Sequence, residues 1–127
     1  MRVLIVESSP ELGRIWERHL RRLGMVVLRC GGQSEAFAKI AVDAPDVIIL
    51  DLVLSDGSAL AVSDYASYRL PDAQIIFVTN TSFFSDGSIF ALAANACAFV
   101  QSETPPEDLA AMVEHFGSSE RRGPLCV

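Results

Sequence analysis

Three short apolar runs in this chain each end in a group that can do chemistry. Val3-Leu4-Ile5-Val6 ends in Glu7, Val47-Ile48-Ile49-Leu50 in Asp51, and Ile75-Ile76-Phe77-Val78 in Thr79. Runs of this length, rich in Val and Ile and apolar without alternation, read as strands buried on both faces of a parallel sheet. In open α/β sheets ligands bind beyond the carboxyl ends of the strands, near the point where strand order reverses. Glu7-Ser8, Asp51 and Thr79 would converge there. A carboxylate in that position can hold a hard cation or, as a nucleophile, become an acyl phosphate. A neighbouring hydroxyl and backbone N–H groups would then hydrogen-bond the phosphoryl oxygens. A single acid at a strand end is more simply a loop cap. Three such groups, at the ends of the first, third and fourth strands, point to a site.

The elements that must position these groups follow from periodicity and caps. Ser9 can cap a first helix, Pro10 suits its first position, and Gly24 follows its last turn. Leu12, Ile15, Trp16, Leu20 and Leu23 recur at spacings of three and four and share one face. Met25 to Cys30 reads as a second strand, broken by Gly31-Gly32. A second helix fits Gln33 to Asp43, with Ala36, Phe37, Ile40 and Ala41 on its apolar side, and Ala44-Pro45 stops it. A third helix spans Ser58 to about Arg69 and is ended by Leu70-Pro71. A helix from about Ser85 to Asn95, a brief strand from Ala98 to Val100 and a last helix from Pro105 to Phe116 complete five β/α units. Ser55-Asp56-Gly57-Ser58 and Ser85-Asp86-Gly87-Ser88 echo one another as turn-and-cap chemistry. The polar segment from 117 to 127 reads as a frayed tail.

With 127 residues the chain suits one domain of residues 1–116, able to bury about two-thirds of its unfolded surface. A net charge of −6 argues against nucleic acid or an anionic membrane, which need clustered Lys and Arg. Arg14, Arg18, Arg21 and Arg22 gather on the first helix, where a solvated face is the simpler reading. Cys30, Cys97 and Cys126 form no C-x-x-C pair or metal spacing, consistent with reduced thiols in the cytoplasm. No stretch approaches the roughly 20 apolar residues of a membrane span.

The chain resembles the receiver domain of bacterial two-component response regulators over residues 1 to about 116. The segments that carry the likeness are Val3-Leu4-Ile5-Val6-Glu7, Asp46 to Asp51 with Asp56-Gly57 behind, and Ile75 to Thr79. Weaker support comes from Ala98-Phe99-Val100 followed by Pro106-Glu107-Asp108-Leu109. The resemblance implies a flavodoxin-like, doubly wound (βα)5 fold of the α/β class, with a five-stranded parallel sheet of order 2-1-3-4-5. It implies Asp51 as phosphoacceptor, supplied by a histidine kinase or phosphotransfer protein. Mg2+ would be held, weakly, by Glu7, Asp51 and the backbone carbonyl of Val53, with Thr79 and Phe99 as the switch pair. At most the chain would catalyse its own phosphorylation. Its output would be a downstream partner or a self-dimer, met through the fourth and fifth helices and the fifth strand. Since no output domain follows Phe116, a stand-alone regulator that signals by docking is expected.

Several positions depart from the pattern. Ser8 replaces the second acid of the pair, which lowers the negative charge offered to a cation that gives up its waters reluctantly. Ser102 stands where the family has its phosphate-pairing lysine, and Glu103 where it has proline. Ser55 replaces a proline and Asn80 a smaller residue. The single lysine, Lys39, lies in a different unit, and Arg69 is remote from the fifth strand, so neither substitutes. Two readings stay open: an atypical receiver phosphorylated on Asp51, and a receiver-like interaction module that works without phosphorylation. An unrelated flavodoxin-like enzyme is disfavoured. The loop after the first strand, Glu7-Ser8-Ser9-Pro10, has no Cys or Arg for a phosphatase. His19 and His115 sit on helices, away from any corrinoid-binding loop, and no P-loop is present.

Overall fold

The computed structural model describes residues 1–54, 56–79 and 96–118, with Ala96, Cys97, Phe99 and Ser118 described by their backbone alone. Among the described residues nine elements follow in order: β1 (Arg2–Val6), α1 (Pro10–Arg22), β2 (Val26–Cys30), α2 (Gln33–Asp43), β3 (Val47–Asp51), α3 (Ala59–Arg69), β4 (Gln74–Thr79), β5 (Ala96–Gln101) and α4 (Pro106–Ser118). The strands form one parallel sheet in the order β2-β1-β3-β4-β5. This is the doubly wound α/β architecture expected from the sequence. The helix expected from Ser85 to Asn95 and the tail beyond Ser118 lie outside the described residues, as do Ser55 and Asn80.

Local chemistry explains the boundaries. Ser9 caps α1, its hydroxyl accepting the Leu12 N–H at 3.4 Å, and Pro10 occupies the first turn. Gly24 follows that helix at φ +85°, a conformation that suits a residue without Cβ. Ser58 caps α3 in the same way, accepting from Ala61 N at 3.3 Å. Strand β5 runs from Ala96 to Gln101, longer than the Ala98–Val100 expected. Pairing with β4 extends it across a register shift at Ile75/Ile76, although Ala96 has little strand propensity of its own.

The two faces of the sheet bury separate cores, because side chains alternate along each strand. Val3, Ile5, Val47, Ile49, Ile76 and Val78 pack against Trp16 and Leu20 of α1 and Leu109 and Val113 of α4. Leu4, Val6, Ile48, Leu50, Ile75 and Phe77 pack against Ala36 and Ile40 of α2 and Val62 and Ala66 of α3. Two residues assigned to apolar helix faces from the sequence are instead exposed: Ala41 of α2 and Leu23, at the end of α1. Ala41 lies beside the buried Ile40 but on the outer side of the last turn of α2, and Leu23 is the residue that caps α1.

Candidate functional site

Strands β1 and β3 pair with Val6 opposite Leu50, so Glu7 and Asp51 are the next two residues across the same ladder. Alternation gives both the parity of Val3, Ile5, Val47 and Ile49, which is the face covered by α1. Glu7 is 8% exposed. Its N–H donates to Cys30 O at 3.0 Å, and its Oε2 accepts from Ser9 N at 3.1 Å. Its Oε1 is buried and receives no hydrogen bond. Burial first, and then hydrogen bonding to the carboxyl of Asp51 and the charge there, push the Glu7 carboxyl up from 4.5 to about 8. The Ser9 N–H pulls in the opposite direction and is outweighed. Two carboxyl groups can hydrogen-bond only through a shared proton, so the same oxygen is orphaned when both are ionised. The pair therefore wants a proton or a cation.

Asp51 is half-buried, and its Oδ1 accepts the Val53 N–H at 2.9 Å. Leu52 N donates to Val78 O at 2.9 Å, which carries sheet pairing one step past the strand. The rest of the loop is tied to the first turn of α2. Gln33 N donates to Asp56 O at 3.0 Å, and Gln33 Oε1 accepts from Ser58 N at 2.7 Å. Gly57 sits at φ +87° against the Gln33 side chain, where a Cβ would collide with it. One glutamine thus holds both ends of the turn that follows Asp51 and Val53.

Thr79 is fully buried at the end of β4, opposite Gln101. Its carbonyl accepts the Ser102 N–H at 2.7 Å, so Ser102 lies directly beside it. Thr104 N closes the turn onto Gln101 O at 3.0 Å, and Glu103 is exposed. Phe99 lies opposite Phe77 in the ladder. The hydroxyl of Ser8 donates to Gly31 O at 3.2 Å, fastening the loop after β1 to the loop after β2. Lys39 and Arg69 belong to α2 and α3, which cover the face away from Glu7.

The donors fit a hard divalent cation, though thinly. Two carboxylates and the Val53 carbonyl would offer oxygen ligands, and the orphaned Oε1 is an atom that a cation would satisfy. Among the described residues no three His, Cys, Asp or Glu gather into a metal cluster. The structure also brings in Gln33, which sequence reasoning missed, and places Arg29 of β2 on the same face of the sheet as Glu7, paired with Glu17. A sequence signal existed for Arg29, a charged side chain within the otherwise apolar run Val26 to Cys30.

Sequence comparison settles the family. Residues 3–114 match the response regulator receiver domain. The chain belongs to that family. Among curated relatives, the DNA-binding transcriptional activator DevR/DosR of Mycobacterium tuberculosis is 31% identical over 94 residues, covering 73% of this chain and 42% of that protein. The response regulator protein PilR of Pseudomonas aeruginosa is 29% identical over 120 residues, covering 94% of this chain and 26% of that protein. This receiver therefore spans less than half the length of either relative. Among solved structures, a CheY-like receiver domain protein from Methanospirillum hungatei superposes with a TM-score of 0.85 at 24% identity, over 94% of each chain. The non-phosphorylated HemR receiver domain from Leptospira biflexa gives 0.83 at 24% identity, over 95% of this chain and 97% of that one. At such identities the structures speak to fold alone. Receivers of this family are signalling modules of two-component systems and are in general not enzymes. Among the described residues no helix is long and apolar enough to cross a membrane.

Proposed function

We propose that this receiver is an atypical response regulator that takes a phosphoryl group on Asp51 and signals by docking to another protein. The observation that carries the reading is the buried, unpartnered Glu7 Oε1 beside the Asp51 carboxyl at the carboxyl edge of the sheet. A carboxylate pair left short of positive charge is a poor structural element but a serviceable place to bring a cation and a phosphoryl group together. In the transfer, an Asp51 carboxylate oxygen attacks phosphorus. The N–P bond of a donor phosphohistidine breaks, and the imidazole leaves with the electron pair and takes up a proton. Glu7, Asp51 and the Val53 carbonyl would hold Mg2+, which when bound offsets the negative charge gathered by the carboxylates and phosphoryl oxygens. The Val53 N–H orients Asp51 through its bond to Oδ1. Thr79 supplies the hydroxyl nearest the end of β4, and Phe99 lies on the neighbouring strand. With Ser102 in place of a cation, the phosphorylated state is held less firmly. The donor would be a histidine kinase or phosphotransfer protein in the cytoplasm, and the output a protein partner or a second copy meeting the β5 and α4 side.

The second reading, docking without phosphorylation, draws on Ser102 standing where the family has its phosphate-pairing lysine. Incubation with acetyl phosphate or beryllofluoride and Mg2+, followed by intact mass and amide spectra, separates the two. Adduct formation that disappears in Asp51→Asn supports the first. No adduct at saturating Mg2+, with unmoved Thr79 and Phe99 amides, leaves only the second.

A further inference from the structure

We propose that Arg29 is the cation of this site, exchanging between Glu17, where it rests, and the Glu7–Asp51 acid pair, where it competes with a divalent metal. The idea deepens the proposed function, because it concerns the same pair, yet it requires no phosphorylation. Strand β2 pairs with β1 so that Arg29 lies opposite Ile5, two residues before Glu7. Alternation places Arg29, like Val27, on the face covered by α1, the face to which Glu7 and Asp51 also belong. Lys39 and Arg69 lie across the sheet from it.

Gly13 links the two residues. It is buried in α1, although glycine is a poor helix former. A Cβ placed there would stand 3.3 Å from Arg29 Cδ, 3.5 Å from Arg29 Nη1 and 3.9 Å from Glu7 Cβ. The space where this side chain would be is therefore shared by the guanidinium and the base of Glu7. Glycine at this position lets Arg29 and Glu7 both pack closely against α1, where a larger residue would crowd them.

The resting partner is easily relinquished. Glu17 Oε1 accepts from Arg29 Nε at 2.7 Å, while Arg21 Nη2 lies 2.8 Å from Glu17 Oε2. Departure of Arg29 leaves Glu17 still paired with Arg21. Partly exposed ion pairs contribute little, and the Arg29 side chain is 35% exposed. Glu7 Oε1, by contrast, is buried and lacks any donor. A planar guanidinium fork suits two adjacent carboxyl groups. When both acids are ionised and metal-free, Arg29 supplies their counter-charge, and an incoming divalent ion must displace it.

The test follows the Arg29 Nε–Hε resonance in metal-free, isotope-labelled protein, assigned through its loss in Arg29→Ala. At a pH where Glu7 is ionised, the wild-type resonance should report exchange between two carboxylate partners. In Glu7→Gln, and on saturation of the wild type with MgCl2, it should move to a common Glu17-paired position. Mg2+ affinity, read from the Leu52 and Val53 amides, should rise about fivefold or more in Arg29→Ala. Arg14→Ala, which removes an equal charge from the exposed side of α1, should change it less than about twofold, because exposed charges are screened. An Arg29 resonance indifferent to Glu7→Gln overturns the proposal, as does an Arg29→Ala gain no larger than that of Arg14→Ala. A protein that accepts no beryllofluoride on Asp51, yet whose Arg29 responds to Glu7→Gln, overturns the phosphoacceptor reading and leaves this one standing.

Discussion

Replacing Glu7 by Gln should stabilise the metal-free protein, and increasingly so as pH rises. The glutamine keeps the shape of the protonated acid but cannot ionise. Glu7 has a folded pKa of about 8 against an ordinary 4.5, so the folded state holds its proton more tightly than the unfolded chain does. The stability this group contributes is therefore fully present below pH about 4.5 and is lost as pH rises through about 8. Converting the whole shift at 1.36 kcal/mol per unit gives a ceiling of about 5 kcal/mol. The open edge of the sheet lets water and Arg29 relax around the charge, so about 2 kcal/mol is the expected gain at pH 8.5, with almost none at pH 5. Trp16, the single tryptophan, is buried in the core and reports unfolding by fluorescence. With a urea slope of about 1–2 kcal/mol/M for a domain of this size, the variant's midpoint should lie about 1–2 M above wild type at pH 8.5. Saturating Mg2+ should close most of that gap by stabilising the wild type. A difference between variant and wild type that is the same at pH 5 and 8.5, or a variant less stable at pH 8.5, would refute the argument that the carboxyl is buried short of partners.

Other substitutions test neighbouring parts of the site. Ser102→Lys keeps the backbone bond to Thr79 O and adds a cation beside it, so beryllofluoride affinity should rise about tenfold or more, in line with a charge-assisted hydrogen bond; fluoride NMR titration reads this, and an unchanged affinity would place the end of β5 away from the phosphoryl position. Gly57→Ala must accommodate a Cβ at φ +87° against Gln33, and should cost about 1–3 kcal/mol in urea unfolding. The same variant should weaken Mg2+ binding, read from the Val53 amide, if that loop supplies a ligand.

Much of the fold could be read from residue types because a parallel sheet buries its central strands on both faces. The runs at Val3, Val47 and Ile75 are uninterrupted for that reason, and the groups ending them had to share an edge. Capping chemistry at Ser9, Pro10, Gly24 and Ser58 worked equally well, since it depends only on neighbours in sequence. Arg29 escaped notice because its meaning depends on register. Only when β2 is paired to β1, and Gly13 is laid over both, does a charged residue within a strand come to stand near Glu7. Gln33 escaped for a related reason: its partners, Asp56 and Ser58, are remote in sequence and are reached through backbone atoms that carry no residue identity.

The tie made by Gln33 also defines what could be moved between proteins. The turn after Asp51 is not a self-contained cassette, since its amide and carbonyl groups find their partners on the first turn of α2. A graft of residues 51–58 into another parallel sheet would carry the left-handed glycine and leave behind the side chain that seats it. The transferable unit is two loops from adjacent β/α repeats, and divergence in one constrains the other.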